Sequence, residues 1–154
     1  MAFDTFQFLD VIEAMENFIE KNRPPEHIRN LLDLGYKIQG QSILVFEIRP
    51  RIDKPQEFDE YPVAKTTFVK AKNHWKVFWL RSNLKWHRFQ PQSTVKTVKA
   101  FCKLIEEDKL GCFYGWWKQI GDFKYYLSVF FESSATNPHL LSILPLKKLQ
   151  SGYF

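Results

Sequence analysis

The fold is decided by residues 36–89, which read YKIQGQSILVFEIRPRIDKPQEFDEYPVAKTTFVKAKNHWKVFWLRSNLKWHRF. Apolar and polar side chains alternate along most of this stretch, and short turn segments containing Gly40, Asn73 or Asn83 interrupt it. Such a period of two predicts strands, and connections this short predict antiparallel pairing, because parallel strands need long crossovers. The predicted strands are 36–38, 42–49, 63–71, 75–80 and 85–89, with a polar loop at 51–61.

Helical periodicity appears on both sides of this stretch. Asp4 or Thr5 can cap a first helix whose apolar positions recur every three or four residues and which stops before Pro24. Residues 26–32 predict a short second helix, with Ile28, Leu31 and Leu32 facing inward. The apolar positions of the last helix are Val95, Val98, Phe101, Cys102 and Ile105, after a cap at Ser93 or Thr94 and before an end at Gly111.

Together these patterns predict an α+β fold. Two N-terminal helices precede an antiparallel meander of about five strands, and a C-terminal helix packs on the sheet. The chain has 154 residues, of which 45% are hydrophobic. We predict one domain over 1–115 and a C-terminal extension over 116–154. The extension is an irregular tail without a clear period, and its sequence does not decide whether it is ordered.

Several functional classes are disfavoured by composition. No apolar run approaches the roughly 20 residues of a membrane helix, and the first ten residues lack the basic region of a secretory signal. The two cysteines form neither a disulfide framework nor a metal cluster, so a reducing cytoplasm is the expected location. Zinc-ligand spacing, a phosphate-binding glycine loop and a nucleophile elbow are absent, so we predict no metal and no cofactor.

The charge is placed unevenly along the chain. Residues 65–100 carry nine lysines and arginines and no acid, whereas residues 1–35 carry seven acids and three bases. A basic block without acids is an electrostatic footprint for a polyanion. The alternative is a solvated strand face, or a face that pairs with the acidic first helix.

A set of short motifs runs in order through residues 17–115 of the chain. They are RPP at 23–25, GQS at 40–42, FEIRPR at 46–51, PVAK at 62–65, WKV at 75–77, LKWH at 84–87 and GCF at 111–113. With these motifs the chain resembles a bacterial family catalogued as domain of unknown function 3024. The resemblance implies no established activity, and residues beyond 115 are not part of the family pattern.

The basic block gives the first functional hypothesis, a sheet that binds nucleic acid or another polyanion through phosphate contacts. Trp75 and Trp79 are expected in the core, whereas Trp86 is flanked by charged residues and can be exposed for stacking on a base. The residues predicted to contact nucleic acid are Arg49, Arg51, Lys65, Lys76, Arg81, Lys85, Trp86 and Arg88.

Two other hypotheses stay open. One is a small metal-independent nuclease, similar to ribonuclease toxins, in which His87 or Glu47 moves a proton beside stabilising cations. Each residue also has a structural interpretation: a hydrogen-bonded sheet histidine, and a carboxylate paired with Arg49 on the same strand face. The other hypothesis is a protein-interaction module whose basic sheet meets an acidic protein or the acidic helix of a second copy. The sequence contains no complete catalytic motif, and it does not decide the oligomeric state.

Overall fold

A computed structural model describes residues 3–51 and 53–114 of the chain. The described part contains two α-helices, six strands and three short 3-10 turns. The helices are α1 (Thr5–Asn22) and α2 (Val98–Glu107). The strands are β1 (Asp33–Gln39), β2 (Ser42–Pro50), β3 (Phe58–Val69), β4 (His74–Leu80), β5 (Trp86–Arg88) and β6 (Thr94–Val95). The predicted extension, 116–154, lies outside the described residues.

The strands form one antiparallel sheet in the order β1-β2-β3-β4-β5, which confirms the predicted meander. The short strand β6 also pairs with β4, so β5 and β6 occupy successive stretches of the same strand edge. Gly40 has φ 58° in the turn between β1 and β2, a left-handed conformation that glycine adopts without steric cost. The short turns therefore fix strand register and the alternation of side chains between the two faces.

One face of the sheet, the inner face, carries the hydrophobic core. Ile43, Val45, Ala64 and Val77 lie on this face and are fully buried. Both helices pack against it, and the Cys102 thiol of α2 is 3.8 Å from the Met15 sulfur of α1. The opposite, outer face therefore stays on the side of the sheet away from the helices. Neither helix of the described residues has the length and apolarity that crossing a membrane requires.

The predicted second helix is wrong. In its place the described chain has one 3-10 turn, Glu26–Ile28, followed by hydrogen bonds from the Leu31 and Leu32 amides to the Ile28 carbonyl. Ile28 and Leu32 are buried as predicted. A seven-residue segment gains few helical hydrogen bonds to offset the cost of nucleation, and the chain must extend at Asp33 to pair with β2.

Two other element boundaries differ from the sequence prediction. The last four residues of the predicted polar loop 51–61 belong to β3, because this strand begins at Phe58 and pairs there with Pro50. The last helix is capped by Thr97, whose side chain accepts from the Ala100 amide at 3.1 Å, and it ends before Asp108. Ser93 lies next to a 3-10 turn and Thr94 is in β6, so neither caps the helix.

Candidate nucleic-acid interface

A row of three side chains crosses strands β3, β4 and β5 on the outer face. Lys65 lies opposite Phe78, and Phe78 lies opposite Arg88. The Lys65 Nζ is 5.9 Å from the centre of the Phe78 ring, and the Arg88 Cζ is 5.7 Å from the same point. A cation this close to an aromatic face is attracted by the ring quadrupole. Phe78 therefore lies between two positive charges that are carried by the neighbouring strands.

Two further residues extend this row. Trp86 lies opposite Leu80 on β5, and the Lys65 Nζ is 5.9 Å from the centre of its ring. Lys76 lies two residues before Phe78 on the same face and opposite Thr67. We call these residues the cation–aromatic patch: Lys65, Lys76, Phe78, Trp86 and Arg88. All five are partly exposed.

The patch is positively charged, and its cations have no acidic partner among the described residues. In the described part of the chain, no carboxylate forms an ion pair with Lys65, Lys76 or Arg88. Two strand spacings separate Lys65 from Arg88, about 10 Å, and like charges at that distance repel by about 0.4 kcal/mol in water. This repulsion is smaller than thermal energy, so the two cations can lie side by side, and their arrangement is electrostatically complementary to an anion with several negative charges.

Arg88 is anchored more firmly than the two lysines. Its Nη2 donates to the Ser93 carbonyl at 3.0 Å, and its Nε is buried without a hydrogen-bond partner among the described residues. Near the patch, the hydroxyls of Ser42 and Thr67 are 2.8 Å apart. This part of the outer face thus combines cations, rings and hydroxyls.

Arg49, predicted to contact nucleic acid, is on the inner face. It pairs with Glu47 two residues earlier on β2, and the exposed fractions of the two side chains are 18% and 10%. The Arg49 Cζ also lies 5.3 Å from the Tyr61 ring centre. Its charge is therefore neutralised and partly enclosed, on the side of the sheet away from the patch.

Arg51 is in the loop between β2 and β3. Its guanidinium binds Asp53 in a two-point contact, with distances of 3.0 and 2.9 Å, and approaches Glu57 at 3.3 Å. The hydrogen bonds with Arg51 lower the pKa of Asp53. Two carboxylates thus compete with any phosphate for this arginine.

The turn between β4 and β5 positions Arg81, Lys85 and His87. The Arg81 Cζ lies 5.6 Å from the Trp79 ring centre, toward the inner face. Lys85 is exposed in the turn. His87 lies opposite Trp79, and its Nε2 is 3.3 Å from the Asn83 amide nitrogen.

Among the residues proposed for catalysis, the structure does not bring His87 and Glu47 together. Both lie on the inner face, but β3 and β4 separate their strands, a distance of about 14 Å across three strand spacings. Neither side chain lies on the face that carries the patch. In the described part of the chain, no group of three His, Cys, Asp or Glu residues comes together to hold a metal ion.

Four of the residues that the sequence predicted to contact nucleic acid lie together in the patch: Lys65, Lys76, Trp86 and Arg88. The sequence prediction did not include Phe78, whose ring lies between the two flanking cations. The signal was present in β4, because Trp75, Val77 and Trp79 on the inner face leave Lys76, Phe78 and Leu80 on the outer face.

The molecule is thus an α+β domain with helices on one sheet face and a cation–aromatic patch on the other. Residues 3–115 match the family model described as Domain of unknown function (DUF3024), and the chain belongs to this family. No curated protein and no solved structure matches the chain.

Proposed function

We propose that the domain binds nucleic acid through the cation–aromatic patch on its outer sheet face. The observation that carries the proposal is the row Lys65–Phe78–Arg88, in which two cations flank one ring and no described carboxylate pairs with them. Lys76 adds a third charge beside this row. The cytoplasmic location stays a prediction, and it would give the patch access to RNA and DNA.

The proposed affinity comes from phosphate contacts. Each cation that neutralises a phosphate releases a condensed counterion, so binding weakens linearly on a log–log plot against salt. These contacts position a strand without selecting its sequence. A sheet that holds its cations against rings also loses less side-chain entropy on binding than lysines in solvent.

Fluorescence anisotropy with labelled single-stranded and duplex oligonucleotides across a salt series tests the proposal. The patch variant is K65Q/K76Q/R88Q. The control K54Q/K103Q/K109Q removes the same net charge from three exposed lysines elsewhere that lie beside Glu57 or Glu107. We expect the patch variant to lose affinity and to lower the salt slope by about 2, the value for three lost contacts to a single strand.

Because Arg88 is partly enclosed, K65Q/K76Q serves as a second patch variant, with circular dichroism to verify folding. Equal loss of affinity in the patch and control variants would assign binding to net charge rather than to the patch. Absence of binding by the unmodified protein at low salt would refute the proposal outright.

One observation supports a second candidate, self-association through α1. The side chains of Phe6 and Leu9 are 81% and 58% exposed, and they are three residues apart on one helix face. Asp10 and Glu13 extend the same face and are exposed. This acidic, apolar face is complementary to the cation–aromatic patch of a second copy.

Sedimentation velocity over a range of concentrations tests the second candidate. We expect F6S/L9S to abolish a concentration-dependent rise in mass that the unmodified protein shows. Such a rise without nucleic-acid affinity would favour the interaction module over nucleic-acid binding, and a constant monomer mass would exclude self-association.

A further inference from the structure

The two rings of the cation–aromatic patch differ in what already lies against them. Phe78 has Lys65 on one neighbouring strand and Arg88 on the other, with both charges within 6 Å of the ring centre. A base that approaches Phe78 therefore meets two cations that already lie near the ring. Phe78 is therefore a spacer that holds the cations rather than a stacking surface.

Trp86 is placed differently. It lies on β5, the last strand in the order, and Lys65 is the cation near its ring in the described part of the chain. The indole is partly exposed and is not packed against the hydrophobic core. It offers a base an aromatic surface beside Lys65, the combination by which single-strand binders hold a base and its phosphate together.

The flat shape of the patch gives single strands and duplexes different access to its side chains. Its residues spread over three strands of a sheet, and the major groove of DNA is only about 12 Å wide and admits a helix or a two-stranded ribbon. A duplex also keeps the faces of its bases covered by stacking. It can therefore reach this flat face only with its phosphates, whereas a single strand can offer both phosphates and bases.

We propose that the patch binds single-stranded nucleic acid, with one base stacked on Trp86 and the neighbouring phosphates on Lys65, Lys76 and Arg88. This inference rests on the proposed function and adds the substrate class. Phosphates alone provide the duplex affinity, so the stacked base is the source of the preference.

The test compares three ligands in one competition assay: a twelve-nucleotide thymidine strand, a blunt duplex of the same length, and inorganic polyphosphate. The variants are W86L, which removes the ring, and W86F, which keeps one. We expect W86L to weaken binding of the thymidine strand about 5- to 150-fold, the effect of losing one stacked base. Duplex and polyphosphate affinities should stay unchanged, and W86F should recover most of the loss.

The two proposals fail in different ways. If polyphosphate or the duplex binds as tightly as the thymidine strand, or if W86L weakens all three ligands equally, stacking on Trp86 is refuted while phosphate binding stands. If none of the three ligands binds, or if K65Q/K76Q leaves all affinities unchanged, the proposed function itself fails. Poly-glutamate is added to the same assay as a fourth ligand, and tighter binding of poly-glutamate than of any nucleic acid would identify an acidic protein as the partner and overturn both proposals.

Discussion

At the scale of single residues, the pair Glu47–Arg49 has the largest expected effect on stability. Both side chains are mostly enclosed, so Glu47→Gln leaves a guanidinium charge without its carboxylate. We expect a loss of about 3 kcal/mol in the free energy of unfolding, measured by denaturant titration. The control Asp53→Asn breaks the exposed pair with Arg51 and should cost far less, because water screens an exposed ion pair. Equal losses in the two variants would show that burial does not distinguish the pairs.

Gly35 gives a second prediction at this scale. A Cβ atom added there would lie 2.8 Å from Cε2 of Phe46 and 3.3 Å from Cδ1 of Ile48. Gly35→Ala should therefore cost about 1–3 kcal/mol, the range for overpacking. In a double-mutant cycle with Phe46→Leu, the two losses should sum to more than the loss of the double variant, because the smaller side chain relieves the overlap. Strict additivity would refute the contact.

The cation–aromatic patch shows what a residue pattern can and cannot predict. The alternation of side chains along β4 was enough to predict that Trp75 and Trp79 lie on the inner face. Arg49 had two interpretations from the sequence, a contact with nucleic acid and a pair with Glu47 on one strand face, and the structure shows the pair, on the inner face. Sorting charges by strand face depends on knowing the register, which pairing and turns determine.

At the scale of elements, the start of α2 is determined by its N-cap residue, Thr97. The Thr97 hydroxyl accepts from the Ala100 amide, so Thr97→Ala should cost about 1 kcal/mol. Ser93→Ala is the matched control, since Ser93 contributes its carbonyl, which the substitution keeps, to Arg88. Its expected cost is under about 0.5 kcal/mol. A larger loss of stability for Ser93→Ala than for Thr97→Ala would indicate that the helix is capped upstream of Thr97.

The start of α2 was predicted too early because of a contact that forms only in the folded domain. Val95 lies three residues before Val98 and fits the apolar stripe of the helix, which is why the sequence predicted an earlier cap. In the structure Val95 lies opposite Trp75 in β6, where the sheet buries it. A buried apolar residue satisfies either pattern, so periodicity alone cannot choose between helix and strand at such a boundary.

At the scale of the whole molecule, the order of elements was predictable because short turns allow little besides a meander. The identity of the sheet face that the helices cover was not predictable in the same way. The position of the helices follows from contacts between residues that are distant in sequence. One example is the hydrogen bond that the Tyr36 hydroxyl on β1 donates to the Glu16 carboxylate on α1, with a distance of 2.6 Å. The side of the sheet that the described helices leave uncovered is therefore a property of the packed domain.

The same packing makes the folded domain sensitive to alkali. Burial raises the pKa of Tyr36 from 10.0 to about 12, with a further contribution from its hydrogen bond to Glu16. Burial also raises the pKa of Cys102 from 9.0 to about 12 and that of Cys112 from 9.0 to about 11. In the unfolded chain these groups lose their protons at lower pH. The free energy of unfolding therefore falls as the pH rises from about 9 toward 12.

We expect the denaturation midpoint to decrease between pH 8.5 and pH 10.5, and to decrease less steeply in Cys102→Ala and Tyr36→Phe, which each remove one of the titrating groups. The general charge acts in the opposite direction only up to pH 9.2, the pI, because the chain loses net positive charge and self-repulsion up to that pH and gains net negative charge above it. The shallower fall in the two variants therefore separates the thiol and the tyrosine from the change in net charge. A flat or rising midpoint in the unmodified protein, or the same slope in both variants, would contradict the prediction.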